Sequence, residues 1–289
     1  MSRTQRRLGI VALPFEASTS FLEGTRDGPE AILRELADLD TFDLSLGRDP
    51  FHGIQTIVYH PHSADLKDPR EQQSLAAGKV NTILKSGGFP LCLGGEHTAS
   101  IGPIHELRKL GDLSIVQLDA HADLRDEYEG NRFSHACVMR RAVEAGCSLI
   151  GIGIRAMCEE EARFVAERGL NIIEAREASA STGWYSLLDR LPGSVYLTID
   201  MDVFDPSEVS AVGTPEPGGL SYEVVIRFLT HLFKTKDVVA ADIVELRPTN
   251  GDGASVRAAA RLVGLIASMI SIPPIPQVDK DGADPLLST

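Results

Sequence analysis

Short apolar runs rich in β-branched residues recur along the chain, and most are followed by a stretch whose apolar residues return every three or four positions. The runs are Leu8–Pro14, Thr56–His60, Phe89–Leu93, Leu113–Leu118, Leu149–Ile154, Leu170–Ile173, Ser194–Ile199 and Val238–Val244. Their length and composition predict strands. The intervening stretches Pro29–Leu39, Glu71–Lys85, Ile101–Leu110, Cys137–Ala145, Glu160–Glu167, Tyr222–Phe233 and Val256–Met269 have helical spacing. Strand, crossover helix, strand implies parallel pairing, because parallel strands need long connections. The expectation is an α/β fold: a three-layer α/β/α sandwich around a mostly parallel eight-stranded sheet. Eight such units also suit a closed barrel, which the pattern alone leaves open.

Composition narrows the setting. The 289 residues suit a single domain, 1–289, ending in a Pro/Asp-rich tail, 272–289, expected to be loosely ordered. No apolar run approaches the roughly 18 residues of a membrane span, and Met1–Arg7 followed by Leu8–Pro14 reads as a first strand rather than a signal peptide. A cytoplasmic enzyme with no membrane partner is expected. Cys92, Cys137, Cys147 and Cys158 lack Cys-x-x-Cys spacing, so reduced thiols are expected rather than a disulfide framework or zinc knuckle. A net charge of −13 argues against nucleic acid as a partner and suits a cationic ligand.

In sheets of this kind, ligands bind at the carboxyl ends of the strands, and three predicted ends carry unusual chemistry. Gly94-Gly95-Glu96-His97-Thr98 follows Phe89–Leu93; its paired glycines are expected to form a tight turn of unusual dihedrals that aims His97 into a crevice. Asp119-Ala120-His121-Ala122-Asp123 follows Leu113–Leu118, and in an extended chain Asp119, His121 and Asp123 share one face. Asp200-Met201-Asp202 ends Ser194–Ile199, again with both carboxylates on one face of a strand. Taken singly, each segment has an ordinary structural reading: a capping histidine, a solvated strand end, an acidic loop. Together they supply two imidazoles and four carboxylates, which repel and desolvate poorly without cations. Mixed nitrogen and oxygen donors suit Mn²⁺ or a similar divalent ion. Two dications, a hydroxide and four aspartates would leave the site near neutrality.

These segments, with Ser134-His135, Ile199–Pro206, Gly213–Gly219 and Asp242-Ile243-Val244-Glu245, resemble the ureohydrolases, the family of agmatinases, arginases, guanidinobutyrases and formimidoylglutamases. The resemblance covers nearly the whole chain and implies the arginase-type α/β/α fold. It implies two Mn²⁺ per subunit, or other divalent ions, on His97, Asp119, His121, Asp123, Asp200 and Asp202. It places a histidine acting near the leaving group on His135, a guanidinium-binding carboxylate on Glu245, and a homotrimer or homohexamer. The reaction expected is hydrolysis of a small cationic guanidino substrate to urea and an amine.

The stretch Asp119–Arg141 looks most like agmatinases of archaea and thermophilic bacteria, some of which accept aminopropyl-agmatine. An acidic loop, Leu124–Phe133, suits the distal ammonium of agmatine or such a derivative better than arginine's carboxylate. Glu127, Glu129 and, after the next strand, Glu159 are therefore candidate substrate contacts, against the alternative of a solvated acidic surface. Ala136 stands where the family often has glycine, and Arg247–Gly253 departs from the usual run; both bear on substrate tail length. Arginase, guanidinobutyrase or formimidoylglutamase specificity remains open. A two-metal phosphoesterase would want more basic groups than Arg125 and Arg132, a silent metal-binding paralogue would normally have lost a ligand, and a deacetylase-like amidohydrolase would centre on one zinc.

Overall fold

The computed structural model describes residues 6–42, 49–52, 54–59 and 68–271; the expected tail 272–289, and His60 of the second expected strand, lie outside the described residues. The strands are β1 (Arg6–Leu13), β2 (Ile54–Tyr59), β3 (Gly88–Gly94), β4 (Leu113–Leu118), β5 (Ser148–Ile154), β6 (Asn171–Glu174), β7 (Ser194–Asp200) and β8 (Val238–Val244). They form one sheet in the order β2-β1-β3-β8-β7-β4-β5-β6, with every neighbouring pair parallel. Strands β2 and β6 are its two edges, so the sheet is open and the barrel alternative is not what forms.

Parallel strands covered on both faces read as nearly continuous apolar runs, because alternate residues enter two different cores. On one face Ile10, Leu91, Val116, Ile150, Leu197 and Ile243 pack with residues of α1 (Gly28–Asp38), α7 (Tyr222–Thr235) and α8 (Gly253–Ser271). On the other, Val11, Cys92, Ile115, Leu149, Tyr196 and Val244 pack with α2 (Pro69–Lys85), α3 (Ile101–Arg108), α4 (Val138–Glu144) and α5 (Glu159–Arg168). Each large apolar side chain buried this way contributes roughly 1.5–3 kcal/mol.

Two elements escape the periodicity argument: the short helix α6 (Ala175–Ala180) and the 3-10 helix Gly183–Arg190. Each offers few apolar anchors, Ala175 and Ala178 in one and Trp184 and Leu188 in the other, too few to establish a period. Helix α8 shows the opposite effect. Its 18 residues Gly253–Ile270 are long and apolar enough to cross a membrane, with mean hydropathy 1.4, against the expectation that no run approaches that length. More than half of this stretch is buried against the protein's own core, and its arginines turn toward α1 and the residues after it: Arg257 pairs with Glu35 at 2.6 Å and Arg261 with the Asp40 carbonyl at 2.7 Å.

Candidate metal centre and cavity

Strands β3, β8, β7 and β4 are neighbours at the middle of the sheet, and their carboxyl ends deliver the candidate ligands. After β3 the chain turns through Gly94 and Gly95 into a 3-10 turn, His97–Ser100. Neither glycine has a positive φ, so the expected unusual dihedrals are absent. What Gly95 provides is close approach: a Cβ there would lie 2.2 Å from the Phe15 carbonyl oxygen. Gly95 N–H donates to Leu13 and Glu96 N–H to Phe15, tying the strand end to the loop after β1.

His97 is buried. Its Nε2 lies 2.9 Å from Thr198 Oγ1, which donates its own proton to Asp242 at 2.6 Å. The threonine oxygen is thus left to accept from Nε2–H, so that a neutral ring, as a bound cation would require, carries its lone pair on Nδ1. That Nδ1 lies 2.9 Å from Asp123, 3.3 Å from Asp119 and 3.4 Å from Asp200, yet forms no hydrogen bond of acceptable geometry. A buried nitrogen faced by three carboxylates without a directed bond to any of them is the donor arrangement a shared cation needs. Burial alone would lower the His97 pKa, but the same three carboxylates hold it well above the usual range.

Asp119, His121 and Asp123 converge as expected, though not through strand geometry. Strand β4 ends at Leu118, and Asp123 adopts the left-handed conformation, φ 53°, which is uncommon for a residue other than glycine. Asp119 accepts from the backbone of His121 at 2.6 Å and from Gln117 Nε2 at 2.8 Å. Similarly, β7 ends at Asp200, and Asp202 sits in a 3-10 turn, Met201–Val203. Asp200 accepts Asp202 N–H at 2.9 Å, while Asp202 accepts Ala120 N–H at 2.9 Å and lies 2.9 Å from His121 Nδ1. Local turns, rather than extended chain, bring these side chains together.

The electrostatics of the cluster follow from crowding in a buried site. Burial, joined by the charges of Asp123 and Asp202, pushes Asp119 up to about 7. Burial, with Asp202 and Asp119, pushes Asp200 well above the carboxylate range. Asp202 goes the other way: burial would raise it, but the His121 hydrogen bond and charge bring it to about 2. His121, which burial alone would depress, is raised to about 10 by Asp202, Asp119 and Asp123. The donor atoms form two groups sharing one aspartate, His97–Asp119–Asp200 and Asp119–His121–Asp202, each within 4.8 Å. With Asp123 beside His97, all six expected ligands surround two adjacent positions, and the donor set fits two divalent ions.

Above this floor lies a cavity of about 320 Å³ whose wall includes His135, Glu245, Ser20, Arg125, Tyr128 and Glu216. Glu245 follows β8 with φ 64°. One of its oxygens accepts His97 N–H at 2.7 Å, and burial together with the Glu96 charge pushes its pKa well up. His135 opens a 3-10 turn ahead of α4, edge-on to Tyr128 at 5.7 Å between ring centres.

The candidate substrate contacts lie elsewhere. Glu127 and Glu129 are exposed and Glu159 is 87% exposed, paired with Arg163 on α5; none lines the cavity. Their loop instead turns Arg125 and Tyr128 toward it, and its acidic Asp126 is engaged by Arg132 and Arg141 at 2.7 and 2.8 Å.

Several supporting residues lie outside the expected ligands and substrate contacts. Buried Glu161 accepts Leu124 and Cys158 N–H groups, both at 2.8 Å. Arg155 donates to the carbonyls of Asp202, Glu216 and Pro217 among others, clamping the β7 turn to the loop beyond it. Glu96 and Ser18 join the loop after β1 to His135. Only tertiary contact distinguishes these side chains from ordinary surface polar residues.

An open parallel sheet with paired carboxylate–imidazole groups at its central strand ends is an α/β/α scaffold with the donors for a binuclear metal site. A model of the arginase family matches residues 6–268, and the chain belongs to that family. It is 37% identical over 265 residues to N(1)-aminopropylagmatine ureohydrolase of Synechocystis sp., covering 88% of this chain and 85% of the relative. It is 35% identical over 263 residues to an agmatinase of Pyrococcus horikoshii, covering 89% and 90%. The crystal structure of agmatine ureohydrolase of Thermoplasma volcanium superposes with a TM-score of 0.83 at 29% identity, covering 92% of this chain and 90% of that one.

Proposed function

We propose that this protein hydrolyses the guanidino group of agmatine, or of an aminopropyl derivative of it, to urea and a polyamine. The observation that carries the reading is the pair of donor groups sharing Asp119 beneath a cavity walled by Glu245 and His135. Relatives named for agmatine and for aminopropyl-agmatine match at nearly equal identity, which supports this substrate class without separating its members.

His97, Asp119 and Asp200, with Asp123 beside them, would hold one Mn²⁺, and Asp119, His121 and Asp202 the other. When bound, such ions would supply a water of pKa lowered toward 7, activated for attack on the guanidino carbon. The remaining work belongs to the side chains. Glu245, with one oxygen fixed by His97 N–H, turns the other toward the planar guanidinium and sets its orientation. His135 delivers a proton to the departing amine, which leaves poorly as an anion. Glu216, which lines the cavity, is the acidic residue placed to meet the distal ammonium. The enzyme on this reading is cytoplasmic and assembles as a homotrimer or homohexamer, in keeping with the resemblance.

One observation favours a second reading. Arg125, 5.1 Å from the centre of the Tyr128 ring, puts a guanidinium on the cavity wall, where it would meet the carboxylate of arginine or guanidinobutyrate. Urea release by Mn²⁺-loaded protein decides between them, measured with agmatine, aminopropyl-agmatine, arginine and guanidinobutyrate, alongside formamide release from formimidoylglutamate. Turnover of the amine-tailed substrates is expected; preference for a carboxylate tail would replace it with the Arg125 reading.

A further inference from the structure

The loop after β1 reaches over the sheet and touches His135, and a buried carboxylate lies behind the contact. Glu96, 1% exposed, accepts Ala17 N–H at 3.0 Å, Ser18 N–H at 2.7 Å and Ser18 Oγ–H at 3.1 Å on one oxygen, and Thr98 Oγ1–H at 2.6 Å on the other. Four donors converge on it, so it serves purely as an acceptor. Ser18 Oγ in turn accepts His135 N–H at 3.0 Å and lies 3.2 Å from His135 Nδ1.

A hydroxyl has one proton and two lone pairs. The proton is directed at Glu96, and one lone pair is filled by the His135 backbone. The other faces Nδ1, which must therefore be the protonated nitrogen of the neutral ring. Ser134 Oγ, 3.3 Å from Nδ1, offers a second acceptor for the same N–H. The opposite nitrogen, Nε2, lies 3.4 Å from Ser20 Oγ, and both His135 and Ser20 line the cavity.

We infer that Ser18 and Glu96 are positioning residues that lock His135 as its Nδ1–H tautomer and leave Nε2 as the atom that exchanges protons with the substrate. The kinetic part of this rests on the role proposed for His135; the tautomer does not. In each turnover the ring, as an imidazolium protonated on both nitrogens, gives its Nε2 proton to the amine leaving group as the C–N bond breaks. The neutral Nδ1–H ring left behind takes a proton back at Nε2 from the next water, whose hydroxide is the nucleophile of the following turnover.

The test uses the full chain loaded with diamagnetic Zn²⁺ and labelled with ¹⁵N-histidine, the His135 signals being identified by their loss in His135→Gln. Long-range ¹⁵N–¹H correlations should show Nδ1–H in the wild type and a mixture of tautomers in Ser18→Ala. With Mn²⁺, Ser18→Ala should lose about tenfold or more in kcat, a part of the ~10²–10⁴ that a positioned proton donor contributes. KM should stay nearly unchanged, and Ser18→Thr should recover most of the loss. An Nε2–H tautomer in the wild type overturns the inference, even if Ser18→Ala fails to fold. So does a folded Ser18→Ala with unaltered tautomer or unaltered kcat. Absence of urea from every guanidino substrate would refute the proposed function and leave the tautomer result standing.

Discussion

The floor of the cavity and its acidic rim are built from the same residue types and behave oppositely. On the floor, Asp119, Asp123, Asp200 and Asp202 are buried, and their geometry is set by backbone N–H groups and two imidazoles. On the rim, Glu127, Glu129 and Glu159 are exposed, and Asp126 is spent on Arg132 and Arg141. An acidic run in solvent is nearly cost-free. Four buried carboxylates are not, and that cost identifies a cation site where acidity alone does not.

The sharpest way to break this contrast is to remove one floor ligand. Asp123→Asn should lower urea release by well over the ~100-fold that supporting partners can cost and reduce bound Mn²⁺ from two per chain to one by elemental analysis. One layer out, Asp242→Asn weakens the acceptor that orients Thr198 and, through it, His97; metal affinity measured by competitive chelation should fall about 10- to 100-fold. Activity near wild type in both variants would erase the distinction between floor and rim.

A third expectation concerns metal and pH together. In the metal-free fold Asp119, Asp200, His97 and His121 have raised pKa values. The folded chain therefore holds protons that the unfolded chain would already have released, and its stability falls as pH rises from about 4 through 7 at Asp119 and on toward 10 at His121. Metal must displace those protons, so apparent Mn²⁺ affinity should increase from pH 6 to pH 8. Mn²⁺ at about 100 times its Kd adds about 2.7 kcal/mol, or roughly 5 °C in Tm. That gain should be larger at pH 8 than at pH 6 by scanning fluorimetry.

Smaller effects test the rim. Glu216→Gln should raise KM for agmatine about tenfold, the scale of one charge-assisted hydrogen bond, with kcat little changed. Glu127→Gln, Glu129→Gln and Glu159→Gln, measured one at a time, should each stay within about 0.5 kcal/mol of wild type in stability, as exposed substitutions do, and within twofold in KM. A large KM effect at any of the three would return the acidic loop to the substrate site.

The same contrast explains what was legible in the sequence. Parallel strands buried on both faces announce themselves as apolar runs, and seven of the eight expected strands meet their counterparts to within two residues; the other, Thr56–His60, extends beyond the described residues. The floor was legible because its ligands lie within a few residues of strand ends, where any return of the chain brings them together. Even so, turns at Asp123 and Asp202 do what strand alternation was expected to do, and close packing at Gly95 replaces a special dihedral. The outward placement of Glu127, Glu129 and Glu159 was not legible because composition does not say which way a loop side chain faces. The contacts that give Ser18, Glu96, Arg155 and Glu161 their roles were silent because each includes a partner 37 or more residues away along the chain.

The order of strands carries a consequence for how the protein is made. Strands β3 and β7 never touch; β8 alone joins the half-sheet β2-β1-β3 to the half-sheet β7-β4-β5-β6. A nascent chain that has released residues up to Thr235 has both halves within reach and two unpaired inner edges, each a template for the wrong partner. Arrival of Val238–Val244 closes both edges at once, and the next residue is Glu245, whose carboxylate receives His97 N–H from the other side of the seam. Synthesis thus withholds Glu245 until the sheet that supports it is complete.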